Sequence, residues 1–138
     1  MKIKNFEDLE VWQEARKLVN MVYEAIASSP KFQRDTRLRD QSKGAAISTM
    51  AAIAEGFARR SNKEFIQYLF ISISSATELQ SHFYIALDQK YIDQATFDRI
   101  YQQADKVCRM DSSLITYLRK RTKTYDQTRQ TRKTRQTR

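Results

Sequence analysis

His82 and Cys108 are the only histidine and the only cysteine among 138 residues. A structural zinc ion needs four nitrogen or sulfur ligands, so one chain cannot build that set from this pair. A carboxylate metal site within a helical bundle would need Glu-x-x-His pairs, and the sequence contains none. The two glycines, Gly44 and Gly56, are too far apart to make a phosphate-cradling loop. Serines and acids occur, but no motif lifts a nucleophile onto a strained turn. Glu7, Asp8, Glu10 and Glu14 crowd one helix start, where negative charge suits the positive end of the helix dipole. The expectation is a non-enzymatic protein with no catalytic residue, metal or cofactor. His82 and Cys108 read as packing residues.

The remaining chemistry is electrostatic. The net charge is +9, and it is unevenly placed. From Arg119 to Arg138 nine Lys or Arg face Asp126 alone, for +8, whereas residues 1–118 hold sixteen basic and fifteen acidic residues. The tail closes with the repeat TRQTRKTRQTR, which has no apolar residue and a period of three. Such a segment predicts disorder beyond about residue 124. The domain plan is therefore a bundle over 1–119 and a basic tail over 120–138. Arg119, Lys120, Arg121, Lys123, Arg129, Arg132, Lys133, Arg135 and Arg138 could neutralise phosphates by counterion release without reading sequence. On the body, Arg37, Arg39, Lys43, Arg59, Arg60 and Lys63 fall in or beside helices. Only Tyr125 interrupts the tail's charges, which gives base stacking little support there.

These groups need elements to hold them. One proline and two glycines in the whole chain argue for long helices. Helix 1 is predicted over about Glu7 to Ala27, with Trp12, Ala15, Val19, Val22 and Ile26 in one stripe and Asn5 or Asp8 as its cap. Ser28, Ser29 and Pro30 end it, and SSPKFQRDT is read as a linker. Helix 2 is predicted over about Arg37 to Arg59, rich in small residues, with Ile47, Ile53 and Phe57 as its larger side chains. Helix 3 is predicted over about Asn62 to Gln89, with its seam at Phe65, Leu69, Ser72, Ala76, Leu79, Phe83 and Ala86. Helix 4 is predicted over about Gln94 to Arg119, capped by Asp93, with Phe97, Ile100, Ala104, Val107, Leu114 and Leu118 inward. Short connections make an antiparallel up-down four-helix bundle the expected all-α architecture.

The segment IAEGFARRSNKEFIQYL holds the sharpest corner. Ser61 followed by Glu64 is a capping-box pattern, and Arg59 and Arg60 sit at the negative end of the preceding helix. Glu55 can reach Arg59 one turn on, which predicts a buried or interface ion pair. FIQYLFISI is apolar nearly all round. A helix without a wet face is covered on a second side, so Phe65, Ile66, Phe70 and Ile73 are the candidates for contact with another copy of the chain.

FEDLEVWQEARKLV, AAIS, IAEGFARRSNKEFIQYL and YIDQATFDRI together resemble the four helix bundle proteins related to those encoded in 23S rRNA intervening sequences. The resemblance covers roughly residues 5 to 119. It implies a small bacterial up-down bundle that assembles as a homopentamer and is associated with RNA or the ribosome. A more distant likeness is the basic pentameric accessory protein of diversity-generating retroelements, which works with a reverse transcriptase and nucleic acid. The pattern departs at Met50 and Ala52, where the family usually has proline and asparagine. It departs also at Lys43 and Gly44, where the family often has a basic pair.

Two functions follow as expectations. The first is an oligomeric module that binds RNA or DNA through basic helix ends and tail, each weak contact multiplied by assembly. The second is a protein-interaction scaffold in which the charges are incidental. No signal peptide or membrane span is read from the sequence, and no intrachain disulfide can form, so the expected location is the cytoplasm.

Overall fold

Short polar side chains set where the helices begin. The computed structural model describes residues 3–136, with side chains through residue 121. The chain is all-helical, with no strand among the described residues. A 3-10 turn, Phe6–Asp8, leads into α1 (Glu10–Ala27), α2 (Pro30–Arg34), α3 (Thr36–Phe57), α4 (Asn62–Asp88) and α5 (Gln94–Gln136). The 3-10 turn is closed by the Asp8 carboxylate, which accepts the Lys4 and Asn5 N–H groups at 3.1 and 3.0 Å, while the Asp8 N–H donates to the Asn5 carbonyl. Leu9 is extended there, so α1 starts three residues later than its predicted boundary at Glu7.

The predicted linker contains a helix of its own. The Ser29 hydroxyl accepts the Phe32 N–H at 3.2 Å, and Pro30 occupies the first turn, where its missing N–H costs nothing. The short helix carries Phe32 fully into the core against Phe83 and Tyr91, at ring separations of 5.8 and 5.5 Å. Asp35 then caps α3 by accepting the Leu38 N–H at 3.1 Å. Its second oxygen accepts the Tyr91 hydroxyl at 3.0 Å, which fastens the start of α3 to the α4–α5 turn. Asp93 caps α5 through the Thr96 N–H at 2.8 Å, as expected. In the turn before it, Lys90 has φ 62°. The Tyr91 N–H reaches the Ala86 carbonyl and the Lys90 N–H the Leu87 carbonyl, a Schellman closure with lysine at the position glycine usually holds.

Each long helix contributes a buried stripe to one core. Leu18, Val22 and Ile26 come from α1, Ala46 and Ile53 from α3, Leu69, Leu79 and Phe83 from α4, and Ile100, Val107 and Ile115 from α5. A fully buried Leu, Ile or Phe side chain contributes roughly 1.5–3 kcal/mol of transfer free energy. The most extensive contact joins α3 and α4, with α4 and α5 next. Small residues permit the first. Ser48 and Ser75 meet at 2.9 Å across it, and at Gly56 an added Cβ would stand 2.6 Å from the Tyr68 Cβ and 2.9 Å from the Phe65 ring.

α4 therefore lies between α3 on one flank and α5 on the other. This accounts for part of its all-round apolar character within one chain. Ile66 and Ile73 are half-buried against the core, and the Tyr84 ring packs on Phe97 at 4.8 Å. Among the larger side chains of α3, Ile53 is buried, whereas Ile47 faces outward and is 46% exposed.

Candidate nucleic-acid interface

The basic corner is built from the end of α3 and the first turns of α4. The Ser61 hydroxyl accepts the Glu64 N–H at 3.2 Å and starts α4. The reciprocal half of the predicted capping box does not form. The Glu64 carboxylate accepts from the Ser61 hydroxyl at 3.4 Å, instead of from the Ser61 backbone N–H. Glu55 is exposed, and no ion pair joins it to Arg59. The Arg59 guanidinium instead donates to the Tyr68 hydroxyl and lies over the Tyr68 ring, 5.0 Å from its centre. The close approach at Gly56 puts that ring within reach.

α5 brings further cations to the same end of the molecule. It meets α4 at Tyr84 and Phe97 near one end, and the Arg119 guanidinium lies 5.6 Å from the centre of the Phe70 ring near the other. Phe70 is seven residues beyond Lys63, so the two share the outward face of α4, about 10 Å apart along its axis. Arg121 lies over Tyr117 at 4.9 Å. Arg59, Arg60, Lys63, Arg119, Lys120 and Arg121 are all exposed. Ion pairs form at Glu14, Asp40, Glu78 and Asp105, away from Arg59, Arg60, Lys63, Arg119 and Arg121. Arg59, Arg60, Lys63, Arg119 and Arg121 thus stand exposed with Glu55 and Glu64 as the described acids of the corner, so cations outnumber acids there. Lys123, Arg129, Arg132, Lys133, Arg135 and Arg138 lie outside the described side chains.

The structure divides the self-association candidates. Phe65 is a core residue, 8% exposed, packed edge-on to Phe57 at 6.1 Å. Ile66 and Ile73 are half-buried, and Phe70 is 45% exposed beneath Arg119. Apolar exposure on α4 lies also at Ile71 and Ile85, and on α3 at Ile47. The sequence signals for that face were present but pooled. Ile71 and Ile85 are fourteen residues apart, four helical turns, and so share a direction.

Groups that could do other chemistry are scattered. His82 Nε2 meets Glu78 at 3.2 Å on the outside of α4. Cys108 is half-buried, its Sγ 3.8 Å from the Ile73 carbonyl, and burial raises its thiol pKa away from the reactive thiolate. No group of three or more His, Cys, Asp or Glu among the described residues could hold a metal ion. Asp111 is the group that the sequence reading missed. It occupies a core position on α5, fully enclosed, with neither carboxylate oxygen hydrogen-bonded. Burial pushes its pKa up to about 7, and the Ser72 hydroxyl, itself without a partner, tempers the rise. The signal was its place one turn after Val107 in the apolar stripe.

No described helix is long and apolar enough to cross a membrane. Residues 7–113 match the family model described as 23S rRNA-intervening sequence protein. No curated protein matches the chain. Among solved structures, a protein of unknown function from the S23 ribosomal protein family of Bacteroides thetaiotaomicron VPI-5482 superposes with a TM-score of 0.69 at 18% identity. The match covers 76% of this chain and 97% of that one, and at this identity it establishes a shared fold.

Proposed function

Because the chain belongs to the 23S rRNA-intervening sequence protein family, we propose that it is a non-enzymatic helical module that assembles with copies of itself and associates with RNA or another nucleic acid through its basic helix ends. The observation that carries this reading is the exposed basic corner of Arg59, Arg60, Lys63, Arg119 and Arg121, where cations outnumber the described acids. Two stretches distant in sequence, 59–63 and 119–121, bring like charges together there. That arrangement costs stability through mutual repulsion and suits a polyanion.

In this reading the four long helices run up and down. The short connections at 58–61 and 89–93 support that order, as do the contacts of α1 with α3 and α5. Copies meet on the outward face of α3 and α4, where exposed Ile47, Ile71 and Ile85 accompany Gly44, Ala51 and Ser74. The family resemblance suggests five copies. Several corners on one assembly would then bind one strand with greater avidity than a single corner.

The test is fluorescence anisotropy with a labelled RNA across a salt series, run beside light scattering. The expected result is an oligomer whose RNA affinity falls steeply with salt, and a shallower slope after Arg59, Arg60 and Lys63 are changed to Ala. An oligomer that binds no RNA or DNA at low salt would leave the scaffold function in its place.

A further inference from the structure

Two aromatic rings of α4 stand at the basic corner, and each has an arginine from another part of the chain over it. Tyr68 takes Arg59 from the α3–α4 corner, and Phe70 takes Arg119 from α5. Two residues apart on a helix, Tyr68 and Phe70 point about 160° apart, Phe70 outward beside Lys63 and Tyr68 toward the end of α3 at Gly56. Lys63 and Gln67 are exposed on the surface between them. The patch therefore alternates flat groups and point charges across roughly one helix diameter, about 10–12 Å.

From this arrangement we infer that the corner takes single-stranded nucleic acid, its bases stacking on the arginine-covered rings while Lys63 and Arg60 meet the phosphates. The inference rests on the nucleic-acid reading above and narrows it. A duplex hides its base faces within its own stack and offers phosphates along its outside, so bare lysines would serve it as well. Unpaired bases present a π-face, and both aromatic rings and guanidinium planes stack on such faces. Nearly half of the Phe70 surface is open, and the group over it is a planar guanidinium, a group that can itself stack on a base. Arg121 over Tyr117, half exposed on α5, adds a third stacked pair at this end.

The test compares one labelled sequence as single strand and as duplex, in RNA and in DNA, by anisotropy. The proteins are the parent chain, Tyr68→Leu, Phe70→Leu, and the charge-preserving pair Arg59→Lys and Arg119→Lys. Circular dichroism establishes that each is folded. The parent is expected to prefer the single strand. Each Leu variant should weaken single-strand binding about tenfold while duplex binding and the salt slope stay unchanged. The Lys variants should weaken it in the same direction, because the charge remains and the plane is lost. Equal affinity for duplex and single strand, or Leu and Lys variants that bind as the parent does, overturns the inference and leaves the broader reading standing. Failure to bind either form overturns both.

Discussion

The Gln103 side-chain amide donates to the Glu14 carboxylate at 2.8 Å and to the Glu14 backbone carbonyl at 2.9 Å, so one side chain of α5 grips both parts of a residue on α1. Lys17 and Lys106 close on the same carboxylate at 3.1 and 3.3 Å. These donors, Gln103 foremost, hold the Glu14 carboxyl at about 2, against an ordinary value of 4.5. A depressed acid contributes stability that is present above its unfolded value and is lost as pH falls through the folded one. Glu14→Gln should therefore lower stability at neutral pH by about 1.5–3 kcal/mol, the usual worth of hydrogen bonds to a charged group. Urea melts of parent and variant should converge near the bottom of the acid range. Superimposable melts at neutral pH would mean that the clamp contributes nothing.

Asp111 has the opposite sign. Its enclosed carboxyl titrates near 7, raised by burial from 3.8. The stability associated with the protonated form is complete below the unfolded value and is lost as pH rises through about 7. A rise of about three units corresponds to a loss on the order of 4 kcal/mol once the group is ionised. Asp111→Asn keeps the shape and cannot ionise. It should be more stable than the parent at about pH 8, with a melting temperature nearly flat between about pH 5 and about pH 8. A parent protein that melts at one temperature across that interval would show that Asp111 does not ionise in place.

The two glycines of α3 should respond in opposite ways to alanine. At Gly44 an added Cβ meets nothing within 4 Å, so Gly44→Ala should stabilise by about 0.5–1 kcal/mol through the lower entropy of the unfolded chain. At Gly56 the new methyl would collide with Tyr68 and Phe65, and overpacking of this kind costs roughly 1–3 kcal/mol. Thermal melts of the two single variants decide the matter. Equal shifts of the same sign would mean that the α3–α4 crossing yields more readily than its spacing implies.

Helix starts that depend on a local side chain were legible from sequence. Ser61 and Asp93 cap where their spacing predicts, because a cap involves residues only three apart. Ser29 and Pro30 carried the same kind of signal for α2, but a helix of five residues is too short to show a periodic stripe. Contacts across helices were not legible. Arg59 has Glu55 one turn away in sequence, yet it turns to Tyr68, because the crossing at Gly56 sets a ring beside it. Phe70 belongs to an apolar run, and nothing in that run states that Arg119, forty-nine residues on, lies over it. Asp111 reads as an ordinary surface acid until the neighbours of its stripe are known to enclose it.

The unequal knitting of the helices has a kinetic consequence. α3, α4 and α5 share the broadest contacts, whereas α1 touches each of its two long neighbours less and depends on the Glu14 clamp. Backbone amides of α1 should therefore exchange with deuterium ahead of those in the Ala45–Ile53 and Leu69–Phe83 segments, through partial opening that leaves the other three helices joined. Arg59, Lys63, Phe70 and Arg119 all belong to the slow part. A molecule caught with its first helix peeled away would still present them in register.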